Sequence, residues 1–365
     1  MDVVAALDRV PRIPLGHWPT PLESLPRLTA HLGGPPLWVK RDDCSGLGLG
    51  GNKVRKLEYL LGEARAQGAT RIVTVGGVQS NHARQTAAAC ARLGLDCTLV
   101  LPRMVARRDE TYESGGNILL DRLFGAEVHV VADAQAAATR VLELLATSEQ
   151  AGVHAAFFPA GGSTATGALG YVRAAVEIVA QVGTATAPGA TSGARDRIEA
   201  GFVRQVRAAT APGATSGTDR PPAVSTGRIV LAVSTAGTLA GLVCGLHALG
   251  AELTTTAIAV AGAASETAAT ALALATEAAA LLGVAPPSAS RIDVRDGFLG
   301  KAYGEPTEAM HEALETCARL EGLVLDPVYS GKAMAGLFAA VRSGEFSAET
   351  PIIFLHTGGT PALFV

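Results

Sequence analysis

The stretch SGLGLGGNKVRKLEYL, Ser45 to Leu60, decides how the chain is read. Gly46, Gly48 and Gly51 spell G-x-G-x-x-G, the pattern by which a strand-to-helix turn cradles a dinucleotide pyrophosphate. That reading requires a strand directly before the glycines and an acid at the end of the next strand, about 20 residues on. Here Asp42, Asp43, Cys44 and Ser45 separate PLWVK (36–40) from the glycines, and the next strand-like run, RIVTVGG (71–77), ends in Gly76 and Gly77. Asn52 before Lys53 and Val54 after it also break the G-x-x-x-x-G-K-[ST] phosphate loop. A nicotinamide-dependent oxidoreductase is therefore a remote alternative. What the stretch offers instead is Lys53, at the junction of a glycine loop and a helix-forming run. Arg55 and Lys56 follow it, and their like charges are expected to lower its pKa toward that of a Schiff-base nucleophile. The glycines then clear space around that amine.

Outward from this stretch, short β-rich runs alternate with helix-length segments. The runs are PLWVK, RIVTVGG, CTLVL (97–101), AEVHVV (126–131), AAFFPAG (155–161), RIVLAVS (228–234), TAIAVAG (256–262) and PIIFLHTGG (351–359). Helical patterns cover 54–67, 81–93 and 164–181. Continuous apolar strands joined by crossover helices predict an α/β protein, with mostly parallel sheets and helices on both faces. Ligands of such sheets sit beyond the carboxyl ends of the strands, where several of these runs end in glycine. The chain has 365 residues, which suggests two lobes. TAPGATSG at 186–193 recurs at 210–217, in a stretch too rich in Ala, Thr, Gly and Pro to bury much, so 183–226 is expected to be a surface insertion.

Composition excludes several classes. The net charge of −3, with basic residues scattered, argues against a nucleic-acid surface and for a small-molecule partner. Five cysteines, odd in number and without C-x-x-C spacing, indicate neither a disulfide framework nor a zinc site. The N-terminal apolar stretch carries Asp2 and Asp8 without a basic leader pattern, so a cytoplasmic location is expected. Residues 229–251 hold 23 positions without Lys, Arg, Asp or Glu, but Gly237, Gly241, Gly245 and Gly250 make strand, loop and helix the better reading than a membrane span.

SGLGLGGNKVRKLEYL, GGVQSNHARQTAAACARLGL (76–95), STAGTLAGL (234–242), LDPVYSGKAMAGL (325–337) and FLHTGGTPALF (354–364) together resemble the fold type II pyridoxal-phosphate enzymes, in the group of aminocyclopropane-carboxylate deaminase and D-cysteine desulfhydrase. The match runs in order from about His17 to Phe364, interrupted mainly by 183–226. The resemblance implies a two-lobed fold of the tryptophan-synthase-β type. Its large cofactor domain comprises 1–54 and 168–365, its small domain 55–167, and its relatives are usually homodimers. Pyridoxal 5'-phosphate is the implied cofactor. Lys53 corresponds to the lysine that holds it as an internal aldimine and shuttles the Cα proton, with the glycines before it as room for the cofactor's flat ring, and Asn81 to the asparagine on its ring oxygen. Ser80 corresponds to a residue that holds the substrate carboxylate or acts as a nucleophile. Ala236, Gly237 and Thr238, between a strand and a helix, form an anion cradle that the family fills with the cofactor phosphate. Lys56 matches a lysine near that phosphate, with a solvated surface charge as the alternative. Tyr329 and Tyr303 match tyrosines at the reacting centre, able to serve as acid or base. Read from their own positions, Asn81 could instead be a helix N-cap, His82 faces away from its neighbour unless it touches substrate, and His356 fits a structural histidine.

The deaminases of this group carry Glu and Leu where this chain has Ser330 and Thr357. Hydroxyls at those positions would leave the cofactor's pyridine nitrogen neutral or weakly polarised, enough for a substrate with a good β-leaving group. The expectation is β-elimination from a small amino acid, D-cysteine giving pyruvate, ammonia and hydrogen sulfide. L-cysteate sulfo-lyase and aminocyclopropane-carboxylate deaminase are the alternatives.

Overall fold

The computed structural model describes residues 2–183 and 226–365. The expected insertion with its two TAPGATSG copies therefore lies outside the described residues, apart from its first and last positions. The strands are β1 (Leu22–Ser24), β2 (Leu37–Arg41), β3 (Arg71–Val75), β4 (Asp96–Pro102), β5 (Glu127–Val131), β6 (Ala155–Phe158), β7 (Gly227–Val233), β8 (Leu253–Ala259), β9 (Asp293–Arg295) and β10 (Ile352–His356). They form a six-stranded sheet ordered β1-β2-β10-β7-β8-β9 and a four-stranded sheet ordered β5-β4-β3-β6. Every pairing is parallel except β1 with β2. All strands of the smaller sheet fall between residues 71 and 158.

Parallel strands must be covered on both faces, because their crossover connections lay helices over them. One face of the large sheet packs on helices Ala165–Val182, Gly237–Ala248 and Ala264–Leu282, and the other on Pro26–Leu32, Glu308–Glu321 and Ser330–Arg342. The small sheet packs on Lys53–Ala66 and Asn81–Leu93 on one side and on Ala134–Gln150 on the other. Residues such as Leu239, Leu242 and Phe354 are essentially sealed from water, each stabilising the fold by about 1.5–3 kcal/mol. Residues 229–251 form the end of β7, a loop and the helix Gly237–Ala248, as expected, and among the described residues no helix is long and apolar enough to cross a membrane.

The helix Lys53–Ala66 lies between the two sheets' packing layers. Gly170 of the helix Ala165–Val182 lets the two approach closely, since a Cβ there would lie 2.3 Å from the Arg55 carbonyl oxygen. Its first turn has no side-chain N-cap of its own; Gln85 Oε1 accepts from the Val54 N–H at 3.0 Å and satisfies one of the free helix-end donors.

Candidate active site

A cavity of about 770 Å3 opens where strands β3, β4, β7 and β10 end and the helices at Lys53, Asn81 and Gly237 begin. No aspartate or glutamate lines it among the described residues, whereas Lys53 and Lys56 do. The glycine loop does not reach it: lining begins at Asn52 and Lys53. Gly48, Gly50 and Gly51 have φ of 54°, 66° and 123°, conformations that side chains disfavour. At Gly50 a Cβ would also stand 1.9 Å from Asp43 O. The expectation that these glycines make room for a ring is thus corrected. They let the chain coil left-handed beneath Arg84, which donates to Gly48 O and, at 3.0 Å, to Gly50 O, and so deliver Lys53 to the cavity floor.

Lys53 Nζ donates to Asn52 Oδ1 at 3.0 Å. Its pKa is lowered to about 8, mainly by burial and then by the Arg84 charge, with Asp326 opposing. The sequence reading attributed this shift to Arg55 and Lys56, but the helix turns Arg55 to the opposite side, where Asp42 and Glu177 hold it as an ion pair. Nor is Lys56 a surface charge. It is 1% exposed, and its ammonium donates to Gly161 O at 3.0 Å and Ser163 Oγ at 3.2 Å, with no acidic partner among the described residues. Burial, then Lys53, pushes its pKa well down.

Lys56 points at the start of the helix Gly237–Ala248. A Cβ on Gly237 would lie 2.7 Å from Lys56 Nζ and 2.8 Å from Ser163 Oγ, so the space is closed by any larger residue. Ala236 caps this helix in the left-handed region, φ 62°, and Asn52 Nδ2 donates to Thr238 Oγ1 at 3.0 Å. A buried lysine with no acidic partner among the described residues, beside Gly237 at a helix N-terminus, is a seat for an anion such as a phosphate. Pyridoxal phosphate fits this donor set: a phosphate at Gly237 and Lys56, and an aldehyde for a lysine amine whose pKa is lowered to about 8.

On the opposite wall, Ser80 rather than Asn81 caps the helix Asn81–Leu93, its Oγ accepting from Ala83 N at 3.1 Å. Asn81 is the first helical residue and lines the cavity beside Ser80. His82 also lines it while being only 2% exposed. Thr74 Oγ1 gives its proton to Phe158 O, so it accepts from His82 Nε2 at 2.9 Å, which leaves His82 Nδ1 as an unprotonated, unpartnered acceptor. Burial and the two lysines keep its pKa well below the usual histidine range, so it is neutral.

Tyr303 and Tyr329 share a hydroxyl–hydroxyl hydrogen bond, with ring centroids 6.1 Å apart at 65°. Burial pushes Tyr303 to about 12 and Tyr329 well above the usual phenol range, so both are proton donors at neutral pH rather than bases. Thr357 lines the cavity, but Ser330 does not. The Ser330 hydroxyl donates to Asp326 Oδ1 and accepts from Asp326 N, so the hydroxyl expected at the pyridine nitrogen is tied to the protein instead. His356 is sealed in, donating from Nε2 to Val324 O at 2.8 Å, a structural histidine.

Sequence reading did not single out Asn52, Arg84, Gln85, Asn117, Ser163 or Asp326. The partners of Arg84, Gln85, Asn117 and Ser163 lie far along the chain, as in Arg84 to Gly50 or Ser163 to Lys56, whereas Asp326 bonds locally, to Val328, Tyr329 and Ser330.

Fold and cavity together define an α/β enzyme built around a lysine and an anion seat. The chain belongs to the pyridoxal-phosphate dependent enzyme family, whose model matches residues 13–194 and 217–358. It is 38% identical to a D-cysteine desulfhydrase of Klebsiella pneumoniae subsp. pneumoniae, over 98% of this chain and 97% of the relative. Against a D-cysteine desulfhydrase of Yersinia enterocolitica it is 38% identical, over 100% of this chain and 98% of the relative. A solved aminocyclopropane-carboxylate (ACC) deaminase homologue superposes with a TM-score of 0.79 at 34% identity, covering 100% of this chain and 96% of the other. A pyridoxal phosphate-dependent aspartate racemase, at 14% identity and TM-score 0.62, shares the fold alone.

Proposed function

We propose that the protein is a carbon–sulfur lyase that converts D-cysteine and water to pyruvate, ammonia and hydrogen sulfide. The observation that carries the chemistry is the acid-free cavity floor, where Lys53 has a pKa of about 8 beside a buried cationic anion seat. The relatives' names support the choice of substrate. When bound, the cofactor supplies a conjugated ring that accepts the electron pair left at Cα. Lys53 holds it, and as a free amine with a pKa near neutrality is suited to take the Cα proton. Ala236, Gly237, Thr238 and Lys56 hold the phosphate, Asn81 the ring oxygen, and Thr357 the far edge of the ring. Ser80, with the backbone N–H of Gly77, holds the substrate carboxylate, with Asn81 and His82 at its side. The Tyr303–Tyr329 pair, both phenols protonated at neutral pH, offers a hydroxyl hydrogen bond to the departing sulfur.

Ser330 no longer argues for this substrate through the ring nitrogen, so Thr357 alone carries that distinction from the deaminases. Residues 55–167 form the small domain and 1–54 with 168–365 the large one in this reading, with the cavity between them. A cytoplasmic homodimer is the proposed assembly. Exposed Leu119 and Leu123, on a helix packed against the turn that bears exposed Phe364, supply an apolar patch for a second copy. Purified protein with cofactor, supplied separately with D-cysteine, L-cysteine, L-cysteate and aminocyclopropane carboxylate, tests the reaction. Sulfide and pyruvate in equal amounts, fastest from D-cysteine, are expected. Faster release of sulfite from cysteate, or of ammonia from the cyclopropane, would overturn the substrate.

A further inference from the structure

Asn81 is held by a relay whose direction the chemistry fixes. Arg84 Nε donates to Asn117 Oδ1 at 3.0 Å, and a guanidinium has no acceptor, so Asn117 turns its oxygen to Arg84. Asn117 Nδ2 then donates to Gln79 O at 2.9 Å, a group that can only accept, and to Asn81 Oδ1 at 3.0 Å. Arg84 and Asn117 are both sealed from solvent. With its oxygen occupied, Asn81 has only its Nδ2–H group to present to the cavity, and that group makes no hydrogen bond among the described residues.

We propose that Asn117, clamped by Arg84, is a positioning residue that sets the polarity of Asn81, so that a donor and never an acceptor faces the cofactor's ring oxygen. Arg84 does this while gripping Gly48 O and Gly50 O, so the same guanidinium places both Lys53 and the Asn81 donor. The inference rests on the proposed role of Asn81 and deepens it. An Asn117→Asp exchange keeps the acceptor for Arg84 and the side-chain size but replaces the donor by a second acceptor. Asn81 must then turn its amide inward and offer its carbonyl oxygen to the ring oxygen, replacing attraction with repulsion.

The test uses the cofactor-loaded enzyme and reads the bound cofactor's visible band and its dissociation constant, not turnover alone. Asn117→Asp is expected to shift the band, move the pH midpoint of its absorbance, and weaken cofactor retention by about tenfold or more, the scale of one buried hydrogen bond. Asn117→Ala, which frees Asn81 to rotate, is expected to do less to the spectrum than Asn117→Asp. A packing role gives the reverse order, because Asp is isosteric and Ala leaves a void, and that order would overturn the proposal. In an Asn81→Ala background, changing Asn117 is expected to add no further spectral shift; an additive shift would overturn it. If Asn117→Asp does not fold, the Ala variant and its Asn81→Ala double variant decide alone by the same additivity. Should Asn81→Ala itself leave band and retention unchanged, the parent reading of Asn81 fails; a normal Asn81 response with a silent Asn117 sinks only the relay.

Discussion

Arg55 and Lys56 are consecutive residues on one helix, both cations and both sealed from water, yet they behave as opposites. Arg55 reaches Asp42 and Glu177 at 2.8–3.1 Å and lies 4.0 Å over the Trp18 ring, and these acids hold its pKa well up despite burial. Thr20 and Tyr171 donate as well to the two Asp42 oxygens, and Lys40 to Glu177 Oε1, so these oxygens are shared with Arg55. Lys56, and Lys53 one turn before it, meet only carbonyl, hydroxyl and amide oxygens, and their pKa values fall. Desolvation acts on all three. What differs is whether the fold supplies acids, as it does on the structural face, or leaves that charge to a ligand, as it does on the cavity face.

The largest effect belongs to the paired face. Arg55→Met strands Asp42 and Glu177 without their guanidinium and is expected to cost about 3–5 kcal/mol of stability, read as a lowered denaturant midpoint with or without cofactor. On the cavity face the sign reverses. Unfolded, Lys53 keeps its proton to about 10.5, but folded only to about 8, so between those pH values the unfolded chain holds more protons and stability rises with pH. The penalty is full below pH 8 and gone above 10.5; Lys53→Met should therefore stabilise the cofactor-free protein by up to ~3 kcal/mol near pH 7, and by nothing at high pH. Denaturation curves of both proteins across that window check it, and destabilisation near neutrality would erase the contrast. Lys56→Met should spare the fold while weakening cofactor retention about 10- to 100-fold, the scale of a charge-assisted hydrogen bond, as measured by equilibrium dialysis. Gly237→Ala should weaken retention about tenfold by crowding Lys56 Nζ and Ser163 Oγ, with a melting temperature close to that of the parent.

Much of the architecture was legible because buried parallel strands are continuous apolar runs, as in Ile352–His356, and their ends carry glycine. The edge strands Leu22–Ser24 and Asp293–Arg295 were not, since three residues give no periodicity and their pairing depends on distant neighbours. Lys53, Lys56, Ser80, Asn81, His82, Ala236, Gly237, Thr238, Tyr303, Tyr329 and Thr357 all line the one cavity. Sequence could not say what each touches. It assigned the pKa shift of Lys53 to its chain neighbours, whereas burial and Arg84, 31 positions away, produce it. It also placed Ser330 beside the ring, whereas Asp326 claims its hydroxyl. Charge effects follow distance in space, and Arg55 shows how a helix turn sends a near neighbour to another compartment.

The central claim is that Lys53, and not the more deeply buried Lys56, carries the cofactor. Borohydride reduction of the loaded enzyme followed by peptide mass mapping tests it directly. A phosphopyridoxyl group on Lys53, absent from Lys53→Ala, is the expected result. The group on Lys56 or any other lysine, or its persistence in Lys53→Ala, would contradict the account.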